Sequence, residues 1–350
     1  MRLKEHDMSE HAPYEGDDAA AVPLIAVEGT ALECGRQYAE LMAQRYPDER
    51  EYLDRALVWD DLDAPTRRLV EARAPWLLDL YQGLNETAGA ARADRDAPAE
   101  GCTSFGVAGA VTRDGHPLAG QTKDTGPQSR DRYIVLRMRI RDAPTILVLA
   151  YPGEVLGYGI WSTGMSLFRN SLHSSGGGEK GLTMVQWGLL ALAGRRCEEA
   201  VELARQFGLI GSGNFLITDG NGVSCSVEFN AGGVDVIDAT DGIATHANHP
   251  EGRSTGPYER YPIDVLREDS RYRQSRLREL LAAQRGRVTP ESVIPMLADH
   301  ARHPLGLCRH PVDDLPLRQT TAGVVAETAR GRLHVTRGNP CENRAFVYST

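Results

Sequence analysis

Gly101-Cys102-Thr103-Ser104-Phe105-Gly106-Val107-Ala108-Gly109-Ala110-Val111 is followed by Arg113-Asp114-Gly115-His116 and then by Pro117-Leu118-Ala119-Gly120-Gln121-Thr122-Lys123-Asp124. Ser104 to Val111 reads as a strand, Asp-Gly marks a hairpin turn, and Pro117 to Gln121 reads as the returning strand. Such a hairpin lays its second strand beside the first and brings Asp124 back near Cys102. A cysteine at a strand start is ordinarily a small buried hydrophobe. Here, however, residues 91–101, Ala-Arg-Ala-Asp-Arg-Asp-Ala-Pro-Ala-Glu-Gly, have no apolar period and predict an exposed linker ending at Gly101.

Upstream of this stretch, Val22 to Gly29 predicts a strand, and Thr30 caps a helix with Leu32, Gly35, Ala39 and Met42 at helical spacing. Residues 65–88 predict a helical stretch that Pro75 breaks or kinks. Downstream, Ile134, Leu136, Met138 and Ile140 alternate with Arg137 and Arg139, and the continuous apolar run Thr145 to Tyr151 predicts a buried strand. Gly181 to Phe207 predicts one or two helices, followed by short strands at 215–218, 223–229, 234–237 and 243–246. Asp269 or Ser270 opens a helix that runs through Leu281, and Thr289-Pro290-Glu291 starts another. Strands at 323–328, 332–336 and 344–349 end the chain. Helices and strands thus come in blocks, which predicts an α+β fold of two packed sheets covered by helices. A polar tail over 1–20, expected to be disordered, precedes a single domain over 21–350.

The composition narrows the function. The chain has 350 residues, 41% hydrophobic and 25% charged, with a formal net charge of −9. No basic stripe is present, so no nucleic-acid partner is expected. No apolar run reaches the ~18 residues of a membrane span, and the first residues lack a signal core, so a cytoplasmic protein is expected. The six cysteines form no CxxC pair, which argues against a zinc site or a redox dithiol. His246 and His249 are three residues apart, as are His300 and His303, but no acidic ligand shares the short His246–His249 motif. No metal and no cofactor is expected. Gly176-Gly177-Gly178-Glu179-Lys180-Gly181 matches a dinucleotide-binding spacing in form alone, because no apolar strand leads into it; it reads as a mobile loop over a pocket.

Further pieces stand in order along the chain: Gly29-Thr30 and Gly35; Pro152-Gly153, then Gly164 and Asn170; Asn214-Phe215-Leu216-Ile217 before Asp219; His246-Ala247-Asn248-His249-Pro250; Asp269-Ser270-Arg271; and Gly338-Asn339-Pro340-Cys341. With the two pieces around Cys102 and Asp124, they resemble the acyl-coenzyme A:6-aminopenicillanic acid acyltransferases. That family lies within the N-terminal-nucleophile hydrolases, which include choloylglycine hydrolases. The resemblance covers about Val22 to Tyr348.

It implies a four-layer αββα sandwich of two mainly antiparallel sheets, and a chain that cuts itself between Gly101 and Cys102 into pieces 1–101 and 102–350. It implies that Cys102 is the nucleophile, that Asp124 holds the freed α-amine, that Arg271 lies beside the thiol, and that Asn248 donates to an oxyanion. Trp161 is expected to donate there through its backbone N–H, and Asn170, Asn214, Lys123 and Ser270 to line the site. Lys123 departs from the aromatic residue usual at its position.

The chemistry is consistent with these roles. A thiol pKa of about 8.5 and an α-amine pKa of about 7.7–8.0 let the amine accept the thiol proton near neutrality. Gly101 is expected because glycine tolerates a strained backbone. The expected partners are a small acyl amide or acyl thioester and the chain's own cleaved N-terminal piece; a homo-oligomer stays open. Two other readings compete: a papain-like hydrolase pairing Cys102 with His246 or His249, and a non-catalytic binding protein of the same fold.

Overall fold

The computed structural model describes residues 14, 18–86, 101–311 and 318–350. The expected linker over 91–100 lies outside them, as does most of the 1–20 tail. Within that tail, Tyr14 packs edge-on against Phe346 and Tyr348.

The chain opens with β1 (Leu24–Gly29) and three helices, α1 (Ala31–Arg45), α2 (Ala64–Arg73) and α3 (Trp76–Asn85). Thr30 caps α1 through a reciprocal box with Glu33, and Pro75 separates α2 from α3. Six strands follow: β2 (Gly101–Val107), β3 (Leu118–Thr125), β4 (Ile134–Ile140), β5 (Ile146–Ala150), β6 (Tyr158–Trp161) and β7 (Ser166–Asn170). Next come α4 (Met184–Ala193), α5 (Cys197–Phe207), then β8 (Gly213–Thr218), β9 (Ser224–Asn230), β10 (Gly233–Asp238) and β11 (Ile243–His246). The last elements are α6 (Asp264–Ala283), α7 (Pro290–Leu297), β12 (Gln319–Glu327), β13 (Arg332–Arg337) and β14 (Ala345–Ser349).

Two sheets result. One has eight strands in the order β1-β4-β5-β6-β7-β8-β9-β10, and the other six in the order β11-β2-β3-β12-β13-β14. Among the described strand pairs β1 and β4 run parallel and the rest are antiparallel.

Side-chain alternation along the strands separates three apolar layers. Ile134, Leu136 and Met138 of β4 face α1 to α5, together with Ile146 and Val148. Val135, Leu147 and Leu149 point the other way and meet Ala322, Val324 and Val335 of the second sheet. Phe105, Val107 and Val325 on the far side of that sheet pack on Leu277, Leu281, Val293 and Leu297 of α6 and α7. Helices, sheet, sheet and helices therefore stack as an αββα sandwich, the α+β architecture expected. Among the described residues no helix is long and apolar enough to cross a membrane.

Two local expectations differ from the structure, and two strands were not expected. The strand expected over Ser104 to Val111 spans Gly101–Val107, and a longer connection over 108–117 replaces the tight hairpin. There the Ala108 N–H bonds Gly242 O at 2.9 Å, tying the chain to another loop. The helix assigned to begin at Asp269 or Ser270 begins at Asp264, so both residues lie inside it. Residues 158–161 and 166–170, without a clear pattern in the sequence, are β6 and β7.

Candidate active site

Since Phe105 and Val107 face the helices, Cys102 and Ser104 on the same strand face the space between the sheets. Ser104 Oγ confirms the direction, donating at 2.6 Å to Asn170 Oδ1 on the opposite sheet. On β3, Lys123 lies opposite Cys102 and Gln121 opposite Ser104, while Asp124 lies opposite Gly101. This end of the inter-sheet space is polar where the rest is apolar. Asn214 Nδ2 donates to Asn170 Oδ1 at 3.2 Å, and Lys123 Nζ donates to the Tyr158 hydroxyl at 2.6 Å. Both side-chain amide atoms of Gln121, Asn170 Nδ2 and Asn214 Oδ1 are buried without a hydrogen-bond partner among the described residues. Buried amides are ordinarily satisfied, so these groups are available to a polar ligand.

The opposite side of β2 meets α6 and a buried guanidinium. Arg273 Nη1 donates to Cys102 O at 2.7 Å and to Thr103 Oγ1 at 2.6 Å, and Nη2 donates to Asn248 Oδ1 at 2.7 Å. Its Nε donates to Asp269 Oδ2 at 2.9 Å. Asp269 also accepts from the Gly306 N–H and from Arg309. Burial opposes ionisation of Asp269, but the charges of Arg273 and Arg309 outweigh it and hold its pKa below the usual value. Asp124 Oδ1 accepts from Thr320 Oγ1 at 2.7 Å, and Oδ2 lies 3.9 Å from Arg273 Nη1 and has no hydrogen bond among the described residues. That oxygen faces Gly101. A Cβ at 101 would lie 2.9 Å from Asp124 Cβ and 3.1 Å from Oδ2. Gly101 sits in extended strand backbone, so what demands glycine is this lack of space; the expected backbone strain is absent.

Asn248 closes the constellation just past β11. Its Oδ1 accepts from the Cys102 N–H at 3.1 Å as well as from Arg273, and its Nδ2 donates to Ser171 O at 2.9 Å. The two donors on Oδ1 fix the amide orientation. Asn248 thus accepts at Cys102, where donation to an oxyanion was expected. Ser270 positions this segment: its Oγ accepts from the Asn248 N–H and lies 2.9 Å from His249 Nδ1.

The imidazoles next to it are committed elsewhere. His246 Nε2 lies 2.6 Å from Glu228 Oε1, and Nδ1 lies 2.9 Å from Ala247 O. His249 has Ser270 on Nδ1 and Glu251, at 3.6 Å, on Nε2. Glu228, His246 and Glu251 bring metal-ligating atoms together. The Glu228 oxygens, however, already accept from Thr255 and from the N–H groups of Glu251 and Gly252.

Arg271 and Trp161 are not part of this group. Arg271 points outward, half exposed, and pairs with Glu259 at 2.9 Å. The α6 arginine that contacts Cys102 is Arg273, and it does so at the carbonyl oxygen. The signal was readable: Arg273 shares a helical face with Leu277 and Leu281, and Arg271 is about 200° away around α6. The Trp161 N–H donates to Met165 O, and its ring packs 5.5 Å from Trp76 on the helix-covered face. Its side chain therefore faces away from Cys102. Arg309, bonded to Asp269, and Thr320, bonded to Asp124, also reach the site and belong to no motif in the sequence.

The model of the acyl-coenzyme A:6-aminopenicillanic acid acyltransferase family matches residues 111–342. No curated protein matches the chain. A mutant of the conjugated bile acid hydrolase from Clostridium perfringens is similar in structure at 12% identity and a TM-score of 0.47, covering 71% of this chain and 97% of that one. Penicillin V acylase from Agrobacterium tumefaciens is similar at 14% identity and a TM-score of 0.44, covering 67% of this chain and 82% of the other.

Proposed function

The chain belongs to the acyl-coenzyme A:6-aminopenicillanic acid acyltransferase family, and from that premise we propose that it is a self-processing amidase or acyltransferase with Cys102 as N-terminal nucleophile. The observation that carries the reading is the buried group around one peptide bond. Asn248 holds the Cys102 nitrogen, Arg273 holds the Cys102 carbonyl, and Asp124 turns toward Gly101 a carboxylate oxygen that has no hydrogen bond among the described residues.

In the first step Cys102 Sγ attacks the Gly101 carbonyl. The S–C bond forms, the C–N bond breaks, and the thiol proton goes to the departing nitrogen. Water then hydrolyses the thioester, leaving a Gly101 carboxylate and a free thiol and α-amine on Cys102. The new amine gains donors that a peptide N–H lacks, and Asp124 Oδ2 beside Gly101 is suited to accept one. Asn248 Oδ1 keeps the amine oriented. The amine then takes the Sγ proton, the thiolate attacks an acyl amide, and the leaving amine takes the proton back. Water or another amine removes the acyl group. Gln121, Asn170 and Asn214, with Lys123 nearby, supply polar contacts for the acylated molecule. Both ring nitrogens of His246 and of His249 have other partners, which favours the amine as base over a papain-like imidazole.

The N-terminal piece would remain bound after the cut. It contributes β1 to the eight-stranded sheet and Tyr38, Met42, Leu77, Leu80 and Leu84 to the core, each worth about 1.5–3 kcal/mol when buried.

The test is intact mass and N-terminal sequencing of wild type and Cys102→Ala. Wild type should yield co-purifying pieces 1–101 and 102–350, and Cys102→Ala a single inactive chain. A wild type that stays intact yet cleaves acyl amides would end the self-processing reading. Acyl amides and acyl-coenzyme A thioesters, assayed with and without an acceptor amine, separate hydrolysis from transfer.

A further inference from the structure

Four soft ligand atoms converge away from the inter-sheet chamber. His300 follows α7, Cys308 and His310 lie on the loop leading toward β12, and Cys341 lies between β13 and β14. Their ligand atoms all fall within 4.8 Å of one another. Cys308 Sγ is 3.5 Å from Cys341 Sγ. His310 Nε2 is 3.8 Å from Cys308 Sγ, 3.5 Å from Cys341 Sγ and 3.1 Å from His300 Nε2.

These distances match four of the six edges of a coordination tetrahedron, and the other two lie within 4.8 Å. With Zn–S of about 2.3 Å and Zn–N of about 2.05 Å, a tetrahedral site sets S···S at about 3.8 Å, S···N at about 3.5 Å and N···N at about 3.3 Å. A disulfide accounts for two of the four groups and leaves two imidazole nitrogens facing each other. A bound cation accounts for all four. Groups in an outer shell suit ligands. Asn339 Nδ2 donates to Cys308 Sγ at 3.4 Å and to Arg309 O at 2.8 Å. The Glu342 carboxylate lies 3.9 Å from His310 Nδ1, leaving Nε2 to the cluster.

We propose that His300, Cys308, His310 and Cys341 form a closed four-coordinate site for a structural zinc ion. Two thiolates and two imidazoles in a tetrahedron favour zinc over the hard oxygen-seeking cations. Four protein ligands leave no open position for a substrate, so the role is to fasten the loop 299–310 to the segment after β13. That loop carries Arg309, which bonds Asp269 and whose N–H bonds Thr320 Oγ1 at 2.9 Å, one hydrogen bond from Asp124. The ion therefore braces the wall behind Arg273 and Asp124. The histidine spacing 300/303 and the absence of CxxC hide this site in the sequence, because its ligands pair across the fold.

The experiment reads the metal directly and is independent of turnover. Full-length protein prepared without added metal is analysed by elemental mass spectrometry. One zinc per chain is expected, present equally in Cys102→Ala and lost in Cys308→Ser and Cys341→Ser. Cobalt exchange into wild type should give a thiolate charge-transfer band with tetrahedral d–d bands, a readout that stands even if the variants fail to fold. Chelation should lower the thermal midpoint of wild type. Three results would overturn the proposal: wild type that holds no zinc and takes up no cobalt, folded variants that keep full zinc, or a mass short by two hydrogens with Cys308 linked to Cys341.

Discussion

Arg273 Nη1 stands 2.7 Å from the carbonyl oxygen of Cys102, gripping the residue whose preceding peptide bond is proposed to break. The same guanidinium spans Thr103, Asn248 and Asp269, which no ammonium could do from one position. Arg273→Lys should therefore process slowly or not at all, and Arg273→Ala, which leaves Asp269 paired with Arg309 but removes the donor that the Cys102 carbonyl and Asn248 share, should lose about 1–3 kcal/mol. Arg271→Ala removes an exposed pair and should cost at most about 1 kcal/mol with normal processing. Urea unfolding and a time course of chain cleavage distinguish the two. A stalled Arg271→Ala beside a normal Arg273→Lys would reverse the assignment.

Asp124 and Gly101 form a second contrast. Asp124→Asn keeps the Thr320 contact but loses the charge that would hold the ammonium, so cleavage and turnover should fall by roughly 10² or more. Gly101→Ala places a methyl 2.9 Å from Asp124 Cβ and should slow cleavage by displacing that side chain. Chain separation on gels over hours measures both. Cleavage of both variants at the wild-type rate would remove Asp124 from the mechanism.

Asn248 should matter to folding as well as to chemistry. Its Oδ1 satisfies two buried donors, and Asn248→Ala leaves both without it, at about 1–3 kcal/mol each. Asn248→Asp restores the acceptor and should recover part of that loss. Thermal midpoints of uncleaved material, taken in a Cys102→Ala background, isolate the stability effect. An Asn248→Ala midpoint equal to that of the background would leave Asn248 with a purely chemical role.

Glu228 and His246 join the two sheets through a fully buried pair and should set a pH window. Burial works against a charged His246, but the bond to Glu228 outweighs it and raises its pKa above 6.5. Burial likewise opposes an ionised Glu228, and His246, Thr255 and the Gly252 N–H outweigh it, holding its pKa below 4.5. The histidine share of stability is complete below about pH 6.5 and lost as pH climbs through the raised folded value. The glutamate share is complete above about pH 4.5 and lost as pH falls through the depressed one. The difference in unfolding free energy between wild type and His246→Asn should therefore peak between these limits and shrink on the alkaline side. Denaturant titrations across pH measure it; a difference that grows above neutrality would contradict the pair.

Features that depend on near neighbours are legible in the sequence. Alternation in β4, the capping box at Thr30 and the break at Pro75 follow from residues a few positions apart, and so does the return of Asp124 beside Gly101-Cys102. β6 and β7 escaped because short strands bounded by glycine turns leave little periodic signal. Helical spacing from Leu277 and Leu281 marks the face that carries Arg273, but contact with Cys102 follows from packing of α6 on the second sheet. The tertiary structure alone decided that Asn248 accepts at Cys102, that Trp161 faces the helices, and that Cys341 meets His300, Cys308 and His310. Each of these contacts is made between segments far apart in the chain, where burial and packing across layers, and not local propensity, select the partner.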